Sequence, residues 1–62
     1  MPRTVCLPCR FLHETDNAVL IETEDEEEHW IPFSQVEAMH HTHGDSGEIE
    51  MTQWIAQQKG LI

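Results

Sequence analysis

Hydrophobic and polar residues alternate between Thr4 and Thr15, and a period of two predicts a β-strand. One face of this strand collects Val5, Leu7, Cys9, Phe11 and His13. The other face collects Thr4, Cys6, Arg10 and Glu14. Asp16 and Asn17 follow, and their side chains favour a turn because they tolerate left-handed backbone and bond to it locally.

Two further strands are predicted on either side of an acidic segment. The earlier strand covers residues 18–23 and has Val19, Leu20 and Ile21 at its centre. The later strand covers residues 29–33, with Ile31 and Phe33 facing inward. Pro32 has no amide donor, so this strand lies at a sheet edge or ends there. Residues 18–33 therefore predict a hairpin with a charged tip.

The segment from 34 to 47 has a mixed pattern. Ser34 and Glu37 have the spacing of a capping box, which predicts one or two helical turns ended by Gly44. The stripe of such a helix would contain Val36, Met39, His40 and His43. The alternative is a single turn followed by a loop, because residues 41–47 are poor helix formers.

The C-terminal part predicts a fourth strand and a helix. Ile49 and Met51 face inward from a strand over residues 48–51. Thr52 can cap a helix over residues 53–59, with Gly60 at its end. Trp54 and Ile55 are expected to anchor this helix in the core, and residues 61–62 to fold back onto the sheet.

Together these elements predict one small α+β domain over residues 1–62. We expect an antiparallel β-meander of about four strands, open or barrel-like, with a short C-terminal helix. A chain of 62 residues buries only about 60% of its unfolded surface. A partner, a second copy, a metal or a disulfide would therefore add stability. A homodimer is one expectation, because an edge strand and an outward tryptophan are both available.

The composition adds a strong negative charge. The chain has 12 acidic and 3 basic residues, for a formal net charge of −9. Most of the acidic residues at the hairpin tip are contiguous: Glu22, Glu24, Asp25, Glu26, Glu27 and Glu28. Such a field repels phosphate backbones and attracts basic protein surfaces. The equally weighted alternative is a solvated tip that only keeps the protein soluble.

Trp30 is the second candidate for partner binding. If Ile31 and Phe33 face the core, Trp30 alternates outward, where an exposed tryptophan can anchor an interface or stack on a base. The favoured alternative is that Trp30 packs beneath the C-terminal helix against Trp54.

Two patterns resemble metal ligands. Cys6 and Cys9 form a C-x-x-C motif, and a zinc site could be completed by His13 or by a pair from His40, His41 and His43, of which His41 and His43 suit a strand. On an extended strand, however, positions three apart point to opposite faces, so we expect Cys9 in the core and Cys6 at the surface. Zinc is therefore the minor interpretation, and no cofactor is predicted.

No catalytic constellation is recognisable in the chain. It lacks a nucleophile motif, a phosphate-binding glycine loop and a metalloenzyme pattern, so we expect a protein that is not an enzyme. It also lacks an apolar run near the length of a membrane span and an apolar block near its N-terminus. A cytoplasmic location is the resulting expectation.

Two segments resemble a known group of proteins. The first, residues 30–35, has the pattern W-[IL]-P-x-S-Q at the end of a strand pair. The second, residues 54–61, has the pattern W-[IL]-A-x-x-K-G-L in a terminal helix. Both are similar to patterns in small uncharacterised phage and prophage proteins. This resemblance implies a phage-encoded chain acting in a bacterial host, and it carries over no catalytic residues.

Two hypotheses of function follow. The first is an acidic inhibitor or adaptor that binds a basic, nucleic-acid-handling protein, like DNA-mimic and anti-CRISPR proteins. Its partner-binding residues would be the six acidic residues of the tip and Trp30. The second is a phage accessory domain that contacts single-stranded nucleic acid or a recombination partner through Trp30. The charge disfavours the second, because nucleic-acid binding depends on Lys and Arg.

Overall fold

A computed structural model of the protein describes residues 3–62 and contains one antiparallel sheet and one short helix. The strands are β1 (Thr4–Glu14), β2 (Ala18–Glu22), β3 (Glu28–Pro32), β4 (Val36–His43) and β5 (Ser46–Thr52), followed by the helix α1 (Gln53–Gln58). Their order in the sheet is β3-β2-β1-β5-β4. The predicted antiparallel sheet with a C-terminal helix is confirmed. The sheet has five strands instead of about four, and it is not closed.

The sheet is strongly curled, as the short connection between its two edge strands shows. β3 and β4 lie at opposite edges, yet only the 3-10 turn Phe33–Gln35 separates them in sequence. This link spans at most about 14 Å. Across a flat sheet, the two edge strands would lie about 19 Å apart. The sheet must therefore bend until the end of β3 approaches the start of β4.

One face of the sheet, called here the inner face, forms the core. The buried residues are Cys9, Val19, Ile21, Ile31, Ile49, Met51, Ile55 and Ala56. Strand alternation supplies six of them, and α1 supplies Ile55 and Ala56 from above. No helix in residues 3–62 is long and apolar enough to cross a membrane.

A bulge in β1 reverses two of the predicted side-chain directions. Phe11 pairs with Ile21, but the next pair is His13 with Leu20, so Leu12 is the extra residue. His13 therefore lies on the face opposite the core, together with Leu20. Assigning His13 to the core face and Glu14 to the other was wrong, because strict alternation cannot anticipate an inserted residue.

Residues 36–43 form the edge strand β4, so the predicted helical turns were wrong. Met39 pairs with Ile49 and His40 with Glu48, and β5 thereby gains a partner along its free edge. Gly44 does not end a helix. It has a φ of 59° in the two-residue turn between β4 and β5, where a positive φ is the glycine requirement of a type II′ hairpin.

Gly47 permits this hairpin to pack closely. A Cβ at this position would overlap the backbone carbonyl oxygen of His40 and lie 3.0 Å from Phe11 Cε2. The absence of a side chain therefore brings the backbone of β4 against β5 and leaves space for the Phe11 ring.

The C-terminal helix is capped as predicted but oriented differently. The Ile55 amide donates to Thr52 Oγ1 at 3.3 Å, and the Thr52 hydroxyl donates to Gln35 Oε1 at 2.7 Å. Gly60, with a φ of 72°, ends the helix, and the Leu61 amide donates to the Ala56 carbonyl at 2.8 Å. The prediction that Trp54 lies in the core was wrong, since Trp54 is 57% exposed.

Two residues that were predicted to pack inward, Phe33 and Leu61, are only half-buried. Phe33 lies in the 3-10 turn and packs against the core from its margin. Leu61 does the same beyond α1, whereas Ile62 is exposed. The expectation that the chain end folds back therefore holds for Leu61 alone.

Candidate partner-binding face

The face opposite the core, called here the outer face, is open. α1 packs on the inner face, and no helix or strand within residues 3–62 covers the outer one. Cys6, Pro8 and Arg10 are exposed along its centre. The hairpin of β2 and β3 contributes three cross-strand pairs to this face: Glu22 with Glu28, Leu20 with Trp30, and Ala18 with Pro32. Acidic and apolar side chains are thus adjacent on one surface.

The turn between β2 and β3, residues 23–27, is called here the acidic turn. The Thr23 amide donates to the Glu27 carbonyl at 2.9 Å, and the Glu26 amide donates to the Thr23 carbonyl at 2.9 Å. Glu26 has a φ of 65°, a left-handed conformation that a non-glycine residue adopts at a cost. The loop is therefore tied at its base, and its four carboxylates extend into solvent.

Asp25 has a structural function within the acidic turn. The Thr23 hydroxyl donates to the Asp25 carboxylate. This hydrogen bond, followed by an interaction with Glu27, holds the pKa of Asp25 below its usual value. Asp25 consequently stays ionised further into the acid range than an isolated aspartate.

Arg10 is the single cation beside the acidic hairpin in the described chain. Its guanidinium donates to Glu22 Oε1 at 3.2 Å, which is the one ion pair between side chains in residues 3–62. Glu22 and Glu28 face each other across the strand pair, and like charges in that position are unfavourable. Arg10 reduces this repulsion from the neighbouring strand β1.

An open groove of about 610 Å³ crosses the outer face between the acidic turn and the hairpin of β4 and β5. We call it the acidic groove. Its lining includes four carboxylates, from Glu22, Glu24, Glu26 and Glu48, and the guanidinium of Arg10. The carboxylates come from β2, the acidic turn and β5. The negative surface therefore extends beyond the contiguous acidic segment of the sequence.

The other carboxylates of the acidic turn point elsewhere. Asp25 and Glu27 line a second pocket, of about 240 Å³, together with His29 and Leu61. Glu24 borders both hollows. The turn thus divides its carboxylates between two sides of the molecule, and Glu26 belongs to the groove alone.

Trp30 lies on the outer face, as its alternation with Ile31 predicts. It is 43% exposed, and its ring meets the His13 ring edge-on with centroids 6.2 Å apart. Trp30 does not pack beneath the C-terminal helix against Trp54, so that favoured alternative was wrong. Both tryptophans are exposed because neither side chain points toward the inner face.

The two cysteines lie on opposite faces of β1, as expected from their spacing. Cys6 is exposed on the outer face and Cys9 is buried in the core. Partial desolvation and the nearby Glu48 and Glu50 raise the pKa of the Cys6 thiol. Burial, followed by Cys6 and Glu48, raises the pKa of Cys9 to about 11. Both thiols are therefore weak nucleophiles and weak metal ligands near neutral pH.

The histidines of β4 also point to different faces of the sheet. His40 lies across from Glu48 on the outer face, whereas the His41 ring packs against Phe11 with centroids 4.4 Å apart. His43 pairs with Ser46 beside the turn. In the described part of the chain, no three His, Cys, Asp or Glu side chains come together as a metal site.

Sequence reasoning missed the grouping of Arg10, Glu22 and Glu48 around one groove. Their places in the alternation were visible, but the strand order that makes β1 the neighbour of both β2 and β5 was not. Gly47 was the available signal for the close hairpin, because glycine within a strand pattern marks close backbone approach.

Comparison of the chain with protein-family models, curated proteins and solved structures gives no match. The resemblance to phage proteins therefore stays a prediction.

Proposed function

We propose that this chain is a non-enzymatic acidic protein that binds a basic surface of a nucleic-acid-handling protein. It would act as a DNA-mimic inhibitor, of the kind that anti-CRISPR proteins represent, in the cytoplasm of a bacterial host. The observation that carries the proposal is the acidic groove, where Glu22, Glu24, Glu26 and Glu48 converge on an uncovered sheet face.

Charge supports this partner class. A groove lined by carboxylates attracts Lys and Arg side chains, which are the groups that nucleic-acid-binding proteins present to phosphates. Arg10 is the one counter-charge that lines the groove, and its contact with Glu22 leaves Glu24, Glu26 and Glu48 without an ion-pair partner in the described chain. These carboxylates are available to a partner.

Trp30 supports a protein partner in particular. It lies on the same face as Glu28 and beside Leu20, so an apolar contact area adjoins the acidic one. Interfaces commonly combine a tryptophan anchor with a charged rim. A partner would thus present an apolar side chain near its basic patch.

A capture experiment tests the proposal. The tagged protein is incubated with nuclease-treated bacterial lysate, washed, and eluted with increasing salt before mass spectrometry. We expect a basic nucleic-acid-binding protein that elutes as salt screens the charges. Duplex DNA added to the captured complex should displace that protein. A captured protein that is released neither by high salt nor by duplex DNA would contradict mimicry.

The second candidate function is contact with single-stranded nucleic acid through Trp30. The exposure of its ring favours this candidate, because a solvent-facing aromatic side chain can stack on a base. Trp54→Phe leaves Trp30 as the one tryptophan, so its fluorescence reports directly on an added oligothymidine. Quenching at physiological salt would favour this candidate over the mimic.

A further inference from the structure

The two edges of the sheet differ in how open they are to another strand. β3 has five residues, begins at Glu28 beside the acidic turn and ends at Pro32, which lacks an amide donor. β4 has eight residues and contains no proline. Short strands, charges and prolines protect natural sheet edges. The edge at β3 is protected in these ways.

β4 has register irregularities between Val36 and Ala38 and between His41 and His43. Bulges also protect an edge, so the unprotected regular segment of β4 is residues 38–41.

β4 is also nearly free of charge. Glu37 is its one formally charged side chain at pH 7, and it lies near the start of the strand. No other strand in residues 3–62 pairs with the free side of β4. The backbone groups along that side therefore have no strand partner within the described chain.

The inner side of β4 offers partly covered apolar surface. Val36 and Met39 pack against the core but remain half-buried at the sheet margin. The helix α1 lies over β1 and β5, nearer the middle of the sheet. A strand added beside β4 would continue the sheet and cover these two side chains.

We infer that β4 pairs with β4 of a second copy, so that two chains form one continuous antiparallel sheet. Pairing β4 with itself about a twofold axis closes at two chains. Pairing β4 with β3 would instead extend without limit and bring the carboxylates of the acidic turn against the next copy. β4 carries one carboxylate, Glu37, and the acidic turn belongs to the hairpin of β2 and β3, so pairing β4 with itself does not bring the two acidic turns into the paired edge.

Sedimentation of the purified chain over a concentration series tests this inference. We expect the mass to rise from one chain to two. The double variant Ala38→Lys and His40→Lys should weaken association at least about tenfold, because four ammonium groups would meet near the twofold axis. Within one chain, these lysines lie directly opposite Glu50 and Glu48 of the neighbouring strand β5, so the fold gains opposite-charge pairs.

The matched control is the double variant Gln57→Lys and Gln58→Lys, which changes the formal charge equally on exposed positions of α1. It should associate like the unmodified chain. Amide exchange of the unmodified chain gives a second readout, with protection of β4 rising as concentration rises. A monomer at every concentration would overturn the inference. So would a dimer that survives the β4 variant, or one that the control weakens equally. Neither readout depends on partner binding.

Discussion

Arg10 shows how one residue organises the charge of this molecule. Its guanidinium reaches Glu22 from the neighbouring strand and reduces the repulsion between Glu22 and Glu28. Arg10 is exposed and Glu22 is half-buried, so the pair is partly open to water and its own contribution to stability is small. Its larger effect is on the groove, where it leaves a single cation among carboxylates from three segments.

Cys9 gives a prediction about stability at alkaline pH. Its thiol has a pKa of about 11 in the folded protein against an ordinary 9.0, so above pH 9 the unfolded chain loses this proton first. The free energy of unfolding should therefore fall as pH rises from about 9 to about 11. The chain has no tyrosine, which leaves few other groups that titrate in this range. Urea unfolding across the range measures the effect.

Cys9→Ala is the control for that prediction. It should be less stable at pH 8, because it leaves a small cavity, but its stability should change less between pH 9 and 11. Cys6 and Lys59 are present in both proteins, so the difference between the two profiles isolates Cys9. Parallel profiles would show that the Cys9 thiol ionises as freely in the folded protein as in the unfolded chain.

At the scale of elements, local chemistry was sufficient to predict the hairpin of β2 and β3. Val19 and Ile21 alternate with outward residues, the acidic segment interrupts them, and Ile31 resumes the inward pattern. The cap at Thr52 and the end at Gly60 were likewise predictable, because each depends on residues within one turn.

β4 could not be predicted in the same way. Ser34 and Glu37 offer a helix start, and the histidines that follow have no strong preference for either structure. The strand forms because β5 has an unpaired edge and Gly47 allows close approach. Both are tertiary causes. The acidic groove was unpredictable for the same reason, since it depends on β1 lying between β2 and β5.

The orientation of α1 gives a prediction at this scale. Ile55 is buried and Trp54 is exposed, although the two are adjacent. Trp54→Ala should lower the free energy of unfolding by no more than about 1–2 kcal/mol, because more than half of this side chain is already exposed. Ile55→Ala should cost about 2–5 kcal/mol, a large share of the stability of a small domain. Urea unfolding followed by circular dichroism compares them. A larger loss of stability for Trp54→Ala than for Ile55→Ala would mean that the helix packs on the sheet through the side that carries Trp54.

At the scale of the whole molecule, the inner face holds the fold together while the outer face carries the exposed chemistry. The buried side chains and the helix lie on one side of the sheet. The acidic groove, Trp30 and Cys6 lie on the other. Substitutions at the groove should therefore alter binding with little effect on folding, and this separation makes the proposed function directly testable.

The most direct measurement is the affinity of the captured partner for a charge-reversed protein at physiological salt. Glu24→Lys, Glu26→Lys and Glu28→Lys reverse the acidic hairpin. Glu14→Lys, Asp16→Lys, Gln57→Lys and Gln58→Lys together make the same change in net charge at exposed positions away from the groove and from β4. We predict that the triple variant loses binding while the quadruple variant retains most of it. Retained binding by the triple variant would show that the acidic hairpin only keeps the protein soluble, and equal losses would show that net charge alone drives association.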